Sequence, residues 1–124
     1  MDSATDEMHF PKTMMKTTYT LAALMLTALA GTAAHADQAA QMARGKELFM
    51  TASVPACAVC HTLKDAGAEG AIGPVLDELQ PDAARVARAL KDGIGAMPSF
   101  KATMSEADIA AVALYVSKAS GGAK

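Results

Sequence analysis

Apolar positions along the chain follow helical spacing in several short stretches, separated by segments rich in glycine, proline and polar residues. Residues 37–50 predict a first helix whose main apolar positions are Met42, Leu48 and Phe49. Gly45 lies inside it, where glycine costs about 1 kcal/mol relative to alanine. It is either simply tolerated there or marks close approach by another element. Residues 51–56 form a loop containing Pro55, and residues 56–63 are expected to be helical. A polar loop follows over 64–73, carrying Gly67, Gly70 and Gly73 and ending in the turn signal Gly73-Pro74. A short helix over 75–79 places Val75, Leu76 and Leu79 on one side.

Pro81 suits the first turn of the next helix. That helix carries Val86 and Leu90 inward and Arg85 and Arg88 outward, and stops at Gly93. Residues 93–100, Gly-Ile-Gly-Ala-Met-Pro-Ser-Phe, read as an irregular loop. The last helix opens at Ser105, with Asp108 three residues on in a capping-box pattern. It runs to about residue 119, with Ile109, Val112, Val116 and Ala119 at helical spacing and Tyr115 beside them, and ends at Gly121-Gly122. No stretch alternates as a strand does, and no internal repeat or interdomain linker is visible. The pattern predicts an all-α domain of helices and long loops.

The start of the chain reads differently. Lys16 precedes an apolar run over 21–30, and Ala34-His35-Ala36 has the small-x-small form of a signal-peptidase site. The run is shorter than the roughly twenty apolar residues a membrane span needs. We therefore expect cleavage between Ala36 and Asp37 and no membrane anchor afterwards. Residues 1–14 carry Asp2, Asp6 and Glu7, which do not suit the start of a signal peptide. The expected division is 1–36, an N-terminal extension and cleavable signal peptide, and 37–124, one mature domain in the periplasm. The formal net charge of the whole chain is −2. No basic patch points to nucleic acid and no charge run to a membrane surface. A domain this small is marginal by itself, and a large apolar cofactor would complete its core.

Candidate chemistry is concentrated in Cys57-Ala58-Val59-Cys60-His61. Cys-x-x-Cys-His is the attachment signature of a c-type haem. Two thiols three positions apart on a helical turn share a face and can each bond to one vinyl group of a porphyrin. The next residue, histidine, then offers its imidazole to the iron. Two other uses of the cysteines compete. In an oxidising compartment they could pair as a disulfide and serve a thiol–disulfide oxidoreductase, although no convincing strand precedes them to build the βαβ context. A zinc site would need a second pair of ligands at suitable spacing, which is absent.

His61 is the only histidine after the expected cleavage point, so a second axial ligand from this chain would be a methionine. Met42 and Met50 occupy helical positions and read as core. Met97 lies in a loop between Gly95-Ala96 and Pro98, where small neighbours allow close approach to a flat ring and proline biases Met97 toward extended backbone. Met104, just before a helix cap, is the alternative. A soft thioether favours ferrous iron and raises the reduction potential. Six-coordinate iron also has no vacant site for a substrate, which suits a carrier better than a sensor or peroxidase.

Residues 44–119 resemble a class I monohaem cytochrome c. The likeness rests on Gly45-Lys46-Glu47-Leu48-Phe49, the Cys-x-x-Cys-His motif, Gly73-Pro74-Val75-Leu76, Gly95-Ala96-Met97-Pro98-Ser99-Phe100 and the helix over 109–118 with Tyr115. It implies the cytochrome c fold around one covalently attached haem c with its iron. It implies that Cys57 and Cys60 form the thioethers and that His61 and Met97 are the axial ligands. The Pro74 carbonyl would accept a hydrogen bond from the other ring nitrogen of His61, and Leu76 and Leu90 would wall the haem. Gly45 and Phe49 would cross the last helix near Val112 and Tyr115. The implied activity is electron transfer between redox proteins, a donor dehydrogenase and an acceptor cytochrome or oxidase. The stretch 73–100 also resembles the cytochrome subunit or acceptor of bacterial sulfite dehydrogenases.

Overall fold

A computed structural model describes residues 34–123. The extension over 1–14 and all but the last three residues of the expected signal peptide lie outside them. Residues Asp37–Lys124 cluster as one unit, with which the fold is concerned. Among the described residues no helix is long and apolar enough to cross a membrane.

The first helix, α1, covers residues 34–47 and widens into a π-turn at Leu48–Ala52. Side chains hold that turn. Ser53 Oγ donates to the Leu48 carbonyl at 2.8 Å, and Thr51 Oγ1 reaches the Glu47 carbonyl at 3.4 Å. Leu48 and Phe49 are thereby buried, as expected.

The helix expected over 56–63 does not form. Only Cys57–Val59 make a single 3-10 turn, and Thr62–Leu63 then begin a strand, β1. It pairs antiparallel with β2, Ala68–Glu69, in the register Thr62↔Glu69 and Leu63↔Ala68. The returning chain takes the carbonyls that a continuing helix would have used. Gly73 N–H donates to Cys60 O at 2.7 Å and Gly70 N–H to His61 O at 3.3 Å. The absence of strands is thus also corrected: two-residue strands are too short to show alternation. The loop over 64–73 is accordingly more ordered than expected, with a 3-10 turn at Lys64–Ala66 between the strands.

Helix α2 is Leu76–Leu79 and helix α3 is Ala83–Asp92. Pro81 precedes α3 rather than sitting in its first turn. Asp82 is the cap, its carboxylate accepting from the Arg85 N–H at 2.7 Å, so helical geometry starts at Ala83. Leu90 is buried, Val86 half-buried, and Arg85 and Arg88 are exposed. Gly93 stops α3 with a left-handed φ of 71°.

Helix α4, Glu106–Ser120, is the centre of the packing: α2, α3 and the π-turn all lie against it. Ser105 Oγ accepts from the Asp108 N–H at 3.1 Å, as the capping pattern predicted. The Asp108 carboxylate also meets Arg44 Nε of α1 at 2.9 Å, which holds its pKa below the usual range. Burial extends well beyond the expected apolar stripe to Ala111, Ala113, Ser117 and Ser120. An amphipathic face marks one packed side, whereas α4 is covered on several.

At the crossing of α1 and α4, Gly45 lies against the Ala111 carbonyl, and a Cβ there would fall 2.6 Å from Tyr115 Cβ. Phe49 meets Tyr115 edge-on, with ring centroids 6.0 Å apart. Tyr115 is only 2 % exposed, and its hydroxyl leaves the core to donate to Asp65 Oδ2 at 2.7 Å. Lys46 Nζ grips the same residue, 2.8 Å from its carbonyl and 3.2 Å from Oδ2. The two donors depress the Asp65 pKa, the tyrosine bond most, while burial and then Asp65 push the Tyr115 pKa up. The raised tyrosine pKa means stability present below the free tyrosine value near 10 and lost as pH rises through the folded value. Tyr115→Phe should cost about 1 kcal/mol, below the roughly 1.5–3 kcal/mol usual for a hydrogen bond to a charge because Asp65 is half exposed. It should also flatten the alkaline fall in stability, both read from denaturant unfolding between neutral and strongly alkaline pH.

Candidate functional site

The 3-10 turn at Cys57–Val59 brings both thiols of the motif to one cavity. Cys60 N–H and His61 N–H both return to the Cys57 carbonyl, at 3.1 and 2.9 Å, so the turn closes tightly and projects His61 directly after it. Cys57, Cys60 and His61 all line the cavity. No disulfide joins the two cysteines. Burial pushes the Cys57 thiol up, against the smaller opposing effect of Ser53, whose Oγ is 3.8 Å from the sulfur. A thiol–disulfide oxidoreductase needs the opposite, a depressed pKa and an accessible thiolate.

His61 is fixed from behind. Its Nδ1 donates to the Pro74 carbonyl at 2.9 Å. A carbonyl can only accept, so Nδ1 carries the hydrogen and the Nε2 lone pair is left for a metal. Gly73 makes this possible: a Cβ there would come within 2.5 Å of His61 Cε1 and 2.8 Å of Nδ1. The Gly73-Pro74 pair thus supplies both the room for the imidazole and its acceptor.

The loop after α3 faces the same cavity. Ile94 and Met97 exchange backbone hydrogen bonds of 3.1 and 3.0 Å around the turn Gly95-Ala96. The segment is tied to α3 by Phe100 N–H on the Leu90 carbonyl at 2.7 Å and by Ser99 Oγ on the Lys91 carbonyl at 2.5 Å. Met97 lines the cavity and is half-buried. Met104 is in the core at 9 % exposure and is absent from the lining, while Met42 and Met50 pack against the core.

The cavity has a volume of about 410 Å³, within the ordinary range for a small-molecule or cofactor site. Its walls are apolar, with Phe49, Leu76, Leu90, Phe100, Val112 and Val116 among them. Leu79, Ile72 and Ile94 also face it although 37 %, 74 % and 67 % exposed. Three large aliphatic side chains left open around one cavity fit a flat apolar group large enough to cover them, as a porphyrin is. The chemistry of the donors agrees: two thiols for vinyl groups, an imidazole nitrogen and a thioether. Among the described residues, no three His, Cys, Asp or Glu side chains gather to hold a metal ion in any other way.

Two features were not visible in the sequence. Arg85, expected to point outward, is exposed but also lines the cavity. Val112 and Val116, expected only as core, form part of the cavity wall. Neither belongs to a motif, and helical periodicity does not distinguish a core neighbour from a cofactor neighbour.

A family model described as "Cytochrome C oxidase, cbb3-type, subunit III" matches residues 40–116. Among solved structures, the chain is similar to the c-type cytochrome SorU from Sinorhizobium meliloti. The two are 52 % identical with a TM-score of 0.63, over 65 % of this chain and 92 % of that one. No curated protein matches.

Proposed function

Because this chain belongs to the monohaem cytochrome c family, and so is an electron carrier with a cytochrome c fold and a covalently bound haem c, we propose that it moves single electrons in the periplasm through His61/Met97-ligated iron. Cys57 and Cys60 hold the porphyrin by thioethers. His61, oriented by Pro74, and Met97 would hold the iron. One observation carries this reading: both cysteines, the fixed His61 and Met97 line the same apolar cavity, and among the described residues no other methionine does. Two axial ligands leave the iron without a vacant site, so the partners are redox proteins rather than small substrates.

The donor is a periplasmic dehydrogenase, with a sulfite dehydrogenase as the first to test, and the acceptor is a cytochrome or oxidase. This part of the reading is supported by the likeness of residues 73–100 to sulfite dehydrogenase cytochromes. Electrons would pass at the exposed side of the motif, where Val59 and the nearby Val54 are 63 % and 85 % exposed and offer an apolar surface for a brief encounter.

Absorption spectra of the exported protein test the site. Haem should stay with the chain through denaturing extraction. The reduced protein should show sharp low-spin bands, and the oxidised protein a weak far-red sulfur-to-iron band. Covalent haem without that band would remove Met97 from the iron. A mature protein beginning elsewhere than Asp37, read by mass spectrometry, would displace the proposed cleavage site. Failure of sulfite and its dehydrogenase to reduce the protein in rapid mixing would exclude that donor.

A further inference from the structure

We propose that the Gly121-Gly122 turn after α4 is a clasp that holds the corner between α2 and α3 against the cavity and so keeps water from the haem. The proposal rests on haem occupying the cavity described above. The corner is Gln80-Pro81. Leu79 and Pro81 line the cavity, with Leu76 before them and Val86 after. Pro81 is buried. One side of the corner is therefore cavity wall, and its other side meets the turn that ends α4.

Stopping a helix does not account for both glycines. Gly121 has a left-handed φ of 84° and donates to the Lys118 carbonyl at 3.2 Å, while Gly122 N–H reaches the Ser117 carbonyl at 2.8 Å. This stop requires glycine only at 121. Gly122 does not have a left-handed φ. It is buried, and a Cβ there would fall against the Pro81 carbonyl oxygen and 2.6 Å from the Gln80 carbonyl oxygen. The missing side chain lets the two backbones touch. Ala123 N–H, 3.0 Å from the same Ser117 carbonyl, ties the turn back onto α4.

Gln80 shows independently that the corner is held. Its φ of 45° and ψ of 57° are left-handed, and among the described residues no other non-glycine residue has a left-handed φ. Such a residue stays there only when its surroundings fix it. Gln80 N–H donates to the Leu76 carbonyl at 2.9 Å on the α2 side, and Gly121 and Gly122 close the other. Once released, Gln80 would relax and carry Leu79 and Pro81 away from the cavity. Water admitted there solvates the charge of the ferric state better than apolar walls do, so opening favours oxidation. Gly122 acts as a positioning residue, through the corner it holds.

The test uses the holoprotein, with covalent haem first verified in each variant. Gly122→Ala should speed hydrogen exchange of the Leu79 and Gln80 amides roughly tenfold, because overpacking against backbone loosens the corner. It should also lower the equilibrium constant for reduction roughly two- to fivefold. Gly45→Ala, which crowds α1 against α4 away from the corner, should leave both near their wild-type values. Corner amides that exchange no faster in Gly122→Ala than in Gly45→Ala would overturn the clasp. Faster amides with an unchanged reduction equilibrium would overturn its role at the haem. If Gly122→Ala does not accumulate as holoprotein, Gly121→Ala decides by the same criteria, since its Cβ would meet only the end of the Gln80 side chain, at 3.3 Å. A wild-type chain without haem would instead sink the underlying reading of the cavity.

Discussion

Met97→Ala should leave haem covalently attached, abolish the far-red band of the oxidised protein and lower the reduction potential by on the order of 0.1–0.3 V. The thioethers and His61 are untouched by this change, so attachment survives. On the proposed ligation, what would be lost is the soft sulfur ligand that favours ferrous iron. Axial ligation moves haem potentials over roughly 0.8 V, and replacing thioether by water or nothing uses a substantial part of that span. At about 59 mV per power of ten for one electron, the reduction equilibrium moves by roughly two to five powers of ten. The ferrous variant should also bind carbon monoxide readily, where the parent resists it. The side chain is half-buried at the cavity wall, and its loop is pinned to α3 by the Phe100 and Ser99 hydrogen bonds, so the backbone should hold its place. Met104→Ala provides the contrast. Its side chain is core and off the cavity, so stability should fall while the far-red band remains. The opposite pattern, with the band lost only in Met104→Ala, would transfer the ligand to Met104.

The second large effect falls on the fold. Gly45→Val should destabilise the holoprotein by about 3 kcal/mol, at the upper end for overpacking a tight interface. For a domain of this size that is a fall in Tm of roughly 10–25 °C. The added atoms meet the backbone carbonyl of Ala111 and the Tyr115 Cβ, neither of which can swing aside. The helices must separate, and the Phe49–Tyr115 contact opens with them. Gly45→Ala is the sharper test. In an open helix this change would stabilise by about 1 kcal/mol through propensity alone. Here a single Cβ already collides, so the sign should reverse. Either variant that retains haem should keep its low-spin spectrum, since the crossing of α1 and α4 supplies no ligand. A stabilised Gly45→Ala protein would show that the crossing has slack.

The sequence by itself determined the ingredients. Cys57, Cys60 and His61 are adjacent in the chain, so their chemistry could be read without knowing the fold. The helices α3 and α4 were legible because Gly93, Ser105 and Gly121 lie at their ends and act locally, although Pro81 set the start of α3 too early, ahead of its Asp82 cap. Met97 stood out among the methionines because Gly95, Ala96 and Pro98 are its immediate neighbours. Tertiary structure decided whatever depends on residues distant in sequence. The motif leaves helical geometry because Gly70 and Gly73 return to take the His61 and Cys60 carbonyls, and no local preference encodes that competition. The strands that result are two residues long, below the length at which alternation exists. Burial on several sides of α4 arises because α2, α3 and the π-turn converge on it, which its own periodicity cannot report. Gly45 was ambiguous until Ala111 and Tyr115 stood opposite it. Arg85 looked like a solvated helix face until the cavity formed beside it. Local chemistry is written in neighbouring residues, whereas a shared wall or a crossing exists only once the chain has folded back on itself.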